Sequence, residues 1–458
     1  MDNKYTAGID KFINDNRENI IRDIARLVAI DSVEGKAEPG APFGKGPKQA
    51  LELGLEICRE LGLEAVNCED KIGYGQIGDA EDYLATITHL DVVPVGEGWT
   101  GDPFTLRERE GYIIGRGVMD DKGPSVLCLY ALKYLKDAGV PLRYSIRALL
   151  GTNEETGMGD VEYYLDNYKA PVFCFSPDSG FPVCNGEKGI CNLRIVSKTK
   201  LDKIADIRGG VAGNVIPGKA EAWVKGAKPA ATESVSVEAD GELWHLTAKG
   251  IGGHASKPEG TVNAIGVLIS YILENKLAGE EEEKFLRLLM KLHESWDGSG
   301  LGVDADDGKF EPLTIIGGVI GVEDGHIFQT VDSRYPTNTS GKKIADTISA
   351  LAGELAEIEL KRDTAPFYMS IDNSAVKVCM DVYNAVTGED AKPYTMGGGT
   401  YARDFPNGVS FGPEHPERSY PDFFGPIHGA DEAASIDEFM EALKIYILAL
   451  IELEAVEF

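Results

Sequence analysis

Acidic and histidine side chains follow several short apolar runs of this sequence, where they could act as ligands of divalent cations. Residues 84–88, 143–150 and 171–175 read as buried strands, and each run is followed within a few positions by such a side chain. A glycine-rich turn, residues 115–123, contains an adjacent pair of aspartates. With a histidine near the end of the chain, these positions supply five candidate ligands: His89, Asp120, Glu155, Asp178 and His428.

Two imidazoles and three carboxylates suit Zn²⁺, Co²⁺ or Mn²⁺ in a two-metal site. The charges balance, because three carboxylates and one bridging hydroxide neutralise two divalent ions. The predicted cofactor is therefore a pair of divalent ions. Zn²⁺ is preferred, with Mn²⁺ and Co²⁺ as alternatives that these ligand types do not separate.

Two further acids stand beside the candidate ligands. Glu154 precedes Glu155, and a carboxylate beside a metal-bridging water can act as general base and return the proton to the leaving amine. Asp91 lies two residues after His89 and could accept the second ring N–H of that histidine, which would orient the imidazole. The sequence thus predicts Glu154 and Asp91 as catalytic residues.

Each position also has a structural explanation. A lone histidine is more often packed, an Asp-Asp pair before a helix more often caps it, and a Glu-Glu pair is more often solvated. The joint placement of these side chains at strand ends favours a metal site instead, and His428 rests partly on the family resemblance given below. The remaining histidines outside any motif are interpreted as structural or solvated: His245, His293, His326 and His415.

Strands alternating with helices predict an α/β fold with a mostly parallel sheet, and ligands of such sheets bind at the carboxyl ends of the strands. Residues 112–114 are predicted as a strand entering the glycine-rich turn. From about residue 186 the pattern becomes antiparallel, with Asp240-Gly241 as a hairpin turn and a helix predicted over 342–360. We therefore predict a di-metal catalytic domain, residues 1–185 and 373–458, interrupted by an α+β lid domain, residues 186–372.

Composition excludes several classes of function. The formal net charge of −30 opposes binding to nucleic acid, which requires a basic face. No apolar run reaches the roughly 20 residues of a membrane span. The N-terminus lacks the apolar segment of a signal peptide, and the seven cysteines lack a C-x-x-C pair. A cytoplasmic protein without membrane or nucleic-acid partners is the expectation.

Three motifs resemble the aminoacylase and carboxypeptidase family of co-catalytic metallopeptidases, which includes acetylornithine deacetylase and succinyl-diaminopimelate desuccinylase. They are Thr88-His89-Leu90-Asp91-Val92-Val93-Pro94, Gly115-Arg116-Gly117-x-x-Asp120-Asp121-Lys122-Gly123 and Glu154-Glu155-x-Gly157. The chain is most similar, nearly end to end, to the bacterial dipeptidases of that family. The features that favour this branch are Ser176-Pro177-Asp178, the long insert and Gly425-Pro426-Ile427-His428-Gly429.

The resemblance implies roles for the candidate residues. Asp120 would bridge the two ions, His89 and Asp178 would complete one site, and Glu155 and His428 the other. His254, in Gly252-Gly253-His254-Ala255-Ser256, looks like the family's substrate-polarising histidine and would stabilise the oxyanion. Residues expected to contact the substrate are Asn214, Arg334 for its free carboxylate, and Gly398 and Gly399 through backbone N–H groups.

The sequence therefore predicts a metal-dependent dipeptidase that acts on short peptides with a free C-terminal carboxylate. One alternative is a deacylase or desuccinylase of N-acyl amino acids, and another is a non-catalytic metal- or peptide-binding protein. The insert is long enough for two halves that could replace a partner subunit, so a monomer is expected, with a homodimer as the alternative.

Overall fold

The computed structural model describes residues 5–458, which separate into two compact units. The first unit comprises the chain up to Asn185 together with Tyr368–Tyr394 and Gly399–Phe458. The second comprises Gly186–Phe367 and Thr395–Gly398. The predicted insert covered residues 186–372. The second unit begins at the same residue, ends earlier, at Phe367, and includes the short later segment Thr395–Gly398.

The first unit is built on a mixed sheet whose four central strands run parallel. Antiparallel strands flank them on both sides, so the sheet is less uniformly parallel than the alternating pattern indicated. The strand order is Glu64–Cys68, Ile72–Ile77, Ser145–Gly151, Tyr83–His89, Phe173–Ser176, Gly408–Phe411, Val183–Glu187 and Phe367–Tyr368, with Tyr394–Met396 also pairing Val183–Glu187.

Helices of this unit bury their apolar faces against the sheet and one another. The Lys122–Asp137 helix is buried over most of its surface, because it packs against central strands and against two other helices. Burying one large aliphatic side chain contributes about 1.5–3 kcal/mol, so this helix is a main source of stability. The helices are Ile9–Val28, Lys45–Glu60, Lys122–Asp137, Gly159–Asn167, Ser374–Thr387 and Ile436–Leu453.

A small second sheet lies in the same unit. The predicted strand at 112–114 is present as Tyr112–Ile114, but it pairs with Arg107–Arg109 and Ala433–Ser435 instead of joining the main sheet. Ala433 is the register partner of Ile114. This pairing places the start of the glycine-rich turn beside the end of the loop that carries His428.

The second unit is an antiparallel sheet with helices packed on it. Its strand order is Val235–Asp240, Leu243–Lys249, Lys219–Val224, Ile204–Gly209, Thr314–Glu323, His326–Tyr335, Gly189–Lys200 and Ala356–Thr364. The helices are Ala264–Glu274, Glu280–His293 and Gly341–Ala352. Two short strands, Val215–Ile216 and Gly253–His254, form a separate pair.

The predicted helix over 342–360 is wrong in its second half. The helix ends at Ala352, and Gly353 follows in the left-handed region with φ +53°. Glycine adopts this conformation without steric cost and therefore ends helices. The following residues form the Ala356–Thr364 strand at the edge of the sheet. Across residues 5–458, none of the helices combines the length and the apolar character that a membrane crossing requires.

Candidate metal centre

The carboxyl ends of three adjacent parallel strands bring four of the predicted side chains together. These strands are neighbours in the central sheet and run in the same direction, so their ends meet at one edge. Periodicity predicted the strands, and the polar residues that follow them converge for this topological reason. They are His89 at the end of the first strand, Glu154 and Glu155 after the second, and Asp178 after the third.

Asp120 and His428 reach the same place from loops. Asp120 precedes the Lys122–Asp137 helix, and its peptide bond to Asp121 is cis. One Asp120 oxygen, Oδ1, lies 2.9 Å from His89 Nε2, and the other, Oδ2, lies 2.9 Å from His428 Nε2. A carboxylate between two imidazoles is the arrangement expected of a ligand that two ions share.

The remaining predicted ligands complete two halves of this cluster. Asp178 Oδ2 lies 3.8 Å from His89 Nε2, and Glu155 Oε2 lies 3.3 Å from His428 Nε2. Ligand atoms of His89, Asp120 and Glu155 fall within 4.8 Å of one another, as do those of His89, Glu154 and Asp178. The structure thus brings the five predicted ligands and Glu154 into one site.

The donor atoms fit divalent cations. His89 Nε2 and Glu155 Oε1 are buried and make no hydrogen bond with the described residues, although Asp120 lies close to the imidazole. Burial, reinforced by neighbouring carboxylates, raises the pKa values of Glu154 and Asp178 well above their usual range. Cations would supply the charge that this buried acidic cluster lacks, and they would occupy the unpaired donor atoms.

Asp91 orients the site differently from the prediction. The acceptor near His89 Nδ1 is the backbone oxygen of Asp91, at 3.0 Å, while its carboxylate Oδ1 is 3.6 Å away. The carboxylate instead accepts the backbone N–H groups of Glu154 and Glu155, at 3.2 and 3.1 Å. Burial raises the pKa of Asp91 to about 7. The Asp91 carboxylate therefore holds the loop that carries Glu154 and Glu155 more directly than it holds the His89 imidazole.

A second buried carboxylate, which the sequence analysis missed, holds the beginning of that loop. Asp160 accepts the backbone N–H groups of Thr152 and Asn153, at 2.6 and 3.1 Å, and the hydroxyl of Tyr401. The position of Asp160 in the first turn of the Gly159–Asn167 helix was the available signal, since acids are frequent there. Asp121 was also missed, and it accepts the backbone N–H of His89 at 3.2 Å.

Two of the predicted catalytic and substrate residues lie together in the second unit. His254 pairs in register with Val215, and its Nε2 lies 3.5 Å from the side-chain nitrogen of Asn214. The other ring nitrogen, Nδ1, is 2.8 Å from the hydroxyl of Ser256. The neighbouring short strands thus bring His254 and Asn214 side by side.

Arg334 also belongs to the second unit, on the His326–Tyr335 strand. Its guanidinium donates to both oxygens of Asp332, at 2.7 and 3.2 Å, and to the backbone oxygen of Gly397 at 3.1 Å. These contacts use three of its five N–H groups and leave two that could meet a substrate carboxylate. Arg334 and Asn214 line the same cavity of about 450 Å³.

The predicted glycine loop is divided between the units. Gly398 is grouped with the second unit and Gly399 with the first. Their proposed contact with substrate through backbone N–H groups stays a prediction from the sequence.

The chain has relatives along almost its whole length. Residues 85–452 match peptidase family M20/M25/M40. A putative dipeptidase of Bacillus subtilis (strain 168), YtjP, is 33% identical over 460 residues, covering 95% of this chain and 97% of the relative. The Beta-Ala-Xaa dipeptidase of Lactobacillus delbrueckii subsp. lactis is also 33% identical over 460 residues, covering 95% and 96%.

Solved structures show the same fold. The dipeptidase Dug1p from Saccharomyces cerevisiae aligns with a TM-score of 0.60, covers 99% of each chain and is 13% identical. The site geometry agrees with this relationship, since histidine and carboxylate ligands gather at the carboxyl edge of the central sheet. From the match over residues 85–452 and these full-length relatives, we conclude that the chain belongs to peptidase family M20/M25/M40.

Proposed function

We propose that the protein is a metal-dependent dipeptidase that hydrolyses the amide bond of short peptides with a free C-terminal carboxylate. The observation that carries this proposal is the cluster of His89, Asp120, Glu155, Asp178 and His428, with Glu154 beside it. Two full-length relatives are named dipeptidases, which supports the same substrate class.

The five clustered ligands would hold two divalent ions. When bound, such ions polarise the scissile carbonyl group and lower the pKa of the attacking water. Zn²⁺ is the proposed metal because mixed imidazole and carboxylate ligands suit it, with Mn²⁺ and Co²⁺ as alternatives.

Glu154 is the proposed general base. Its carboxylate lies within 4.8 Å of ligand atoms of His89 and Asp178, and Asp91 holds its backbone N–H. Burial keeps the pKa of Glu154 high, and positive charge at the site would lower it again. Such a carboxylate can take a proton from the attacking water near neutral pH and return it to the leaving amine.

Roles in the second unit are proposed from the motifs. His254 would stabilise the oxyanion that forms as water attacks the carbonyl carbon, with Asn214 beside it. Arg334 would bind the C-terminal carboxylate through its two remaining N–H groups, and Gly398 and Gly399 would add backbone donors. A site that recognises this carboxylate limits the length of the peptide.

We further propose a cytoplasmic monomer. All seven cysteines are buried thiols, as in proteins of reducing compartments. The inserted segment is long enough for two halves that could replace a partner subunit, which favours a monomer over a homodimer. Light scattering coupled to gel filtration tests this directly, and a dimeric mass would contradict it.

The decisive experiment compares three substrates with the metal-reconstituted protein: Ala-Ala, Ala-Ala-Ala and N-acetyl-Ala. We expect Ala-Ala to be cleaved and the other two to turn over at least about tenfold more slowly, because correct placement of both ends contributes to the rate. Glu154→Gln should lower kcat for Ala-Ala by about 100- to 10,000-fold. The exposed Glu162→Gln is the matched control and should retain the wild-type rate.

Other outcomes would redirect the proposal. Turnover of N-acetyl-Ala alone would identify a deacylase. No turnover of any of the three substrates by protein that binds metal would favour a non-catalytic binding protein.

A further inference from the structure

Glu432 is a fully buried carboxylate that holds the turn leading to Asp120. Its Oε2 accepts Arg116 Nη1 at 2.7 Å and the backbone N–H of Gly117 at 3.0 Å. Its Oε1 accepts the backbone N–H groups of Met119 and Asp120, at 3.0 and 3.2 Å. One side chain therefore fixes three positions of the turn: Gly117, Met119 and Asp120, the proposed bridging ligand.

The backbone of Glu432 joins the same turn to the loop of His428. Its carbonyl oxygen accepts the N–H of Gly115 at 2.9 Å, and it forms a β-bridge with Gly425 at the other end of that loop. His428 itself has φ +59°, a conformation that is rarely stable without restraint for a residue with a side chain. The loop must therefore be held in place for His428 to reach Asp120.

Arg116 supplies the second connection between these segments. It is 1% exposed, and while Nη1 binds Glu432, Nη2 donates to the backbone oxygen of Gly429 at 3.1 Å. Gly429 directly follows His428. The ion pair thus contacts the chain next to both metal-site residues: Glu432 binds Met119, which precedes Asp120, and Arg116 binds Gly429, which follows His428.

We propose that Glu432 and Arg116 are positioning residues that set the approach of His428 to Asp120, and thereby the affinity of the half-site formed by Glu155 and His428. This inference rests on the proposed metal centre. Both half-sites share Asp120, but only one of them includes His428, whose loop the ion pair also holds. Loss of the ion pair should therefore weaken the half-site of His89 and Asp178 much less. The expected signature is selective loss of one of two bound ions.

Glu432→Gln is the sharpest variant. Each carboxylate oxygen accepts two donors, so either orientation of the amide places its NH₂ group against two N–H groups. The chain offers a matched control in Glu282, which is 3% exposed and lies in the second unit. Glu282 likewise accepts four N–H groups, in this case all from the backbone: those of Asp202, Lys203, Ile204 and Gly279.

The experiment titrates Co²⁺ into metal-free wild type, Glu432→Gln and Glu282→Gln, and follows heat and d–d absorption. We expect the wild-type chain to bind two ions. In Glu432→Gln, the affinity for one ion should be at least about tenfold lower than in wild type, and the affinity for the other should stay within about threefold of the wild-type value. Glu282→Gln should match wild type. Equal binding by Glu432→Gln and wild type, or equal weakening of both sites, would overturn the proposal.

Arg116→Lys provides an independent variant if Glu432→Gln does not fold. Lysine keeps the charge but cannot contact Glu432 and Gly429 through two separate nitrogens. Arg116→Lys should lower the affinity for the same ion as Glu432→Gln does, and unchanged binding of both ions would contradict the inference. Wild type that binds fewer than two ions would overturn the metal centre as well, whereas two bound ions without dipeptide cleavage would overturn the proposed function alone.

Discussion

At the scale of single residues, Asp160 and Glu432 shape the metal centre through the backbone, because their carboxylates accept N–H groups of the segments that lead to Glu154 and Asp120. The ligands at strand ends and Glu154 were recognised because histidines and acids follow buried apolar runs. Asp120 was recognised in its glycine-rich turn, and His428 partly through the family resemblance. Asp160 and Glu432 escaped recognition, since their carboxylates bind backbone N–H groups. Backbone donors carry no side-chain pattern, so only a structure shows such contacts.

His293 shows how a residue without a motif can still determine behaviour. It was expected to be structural or solvated, and the structure half-buries it beside Gln329, whose side-chain nitrogen lies 2.9 Å from Nε2. Burial lowers the pKa of His293 to about 4. Histidine in an unfolded chain titrates near pH 6.5, so below that pH the unfolded state binds a proton that the folded state does not.

Acidification should therefore destabilise the protein through His293. We expect its contribution to the free energy of unfolding to fall by about 2 kcal/mol from pH 7 to pH 5. Urea denaturation of wild type and His293→Gln at both pH values measures this, and the stability difference between them should shrink as the pH falls. His326→Gln, which changes a histidine whose Nδ1 lies 2.8 Å from the backbone oxygen of Ser197, is the control. A constant difference for His293→Gln would contradict the assignment.

At the scale of elements, periodicity predicted the central strands and the helix after the glycine-rich turn. The second half of the predicted 342–360 helix failed because Gly353 ends the helix and the following residues pair with the Gly189–Lys200 strand. The antiparallel strands Glu64–Cys68 and Ile72–Ile77 were not predicted. Their assignment depends on pairing with distant parts of the chain, which local patterns do not specify.

Gly123, in the first turn of the Lys122–Asp137 helix, tests whether the close contact of this helix with the preceding glycine-rich turn tolerates any side chain. A Cβ atom at this position would lie 2.0 Å from the backbone oxygen of Val118 and 2.7 Å from Phe439. Because a backbone atom cannot move aside cheaply, Gly123→Ala should destabilise the first unit by about 3 kcal/mol or more.

Thermal unfolding checks this expectation for the turn. Gly218→Ala is the matched control, since its Cβ would meet nothing closer than 3.5 Å. Unchanged stability of Gly123→Ala would show that the turn can rearrange, and would weaken the view that it holds Asp120 rigidly.

At the scale of the whole molecule, composition and charge excluded functions more effectively than they identified one. The net charge of −30 opposed a nucleic-acid partner, but the acids that matter are a few buried ones among 75 acidic residues. The insert was visible as a change from alternating α/β to antiparallel patterns. The residue at which the chain returns from the insert to the α/β pattern was not visible, because no sequence motif marks the segment between the two patterns.

The central claim is that the clustered ligands hold two ions and that Glu154 is the base. The most direct measurement follows Ala-Ala turnover while Co²⁺ is added to chelator-stripped protein, with bound ions counted in parallel. Full turnover is expected only when both ions are bound, and Glu154→Gln should bind both ions yet turn over at least about 100-fold more slowly. Full turnover without bound ions, or a Glu154→Gln variant as fast as wild type, would contradict the claim.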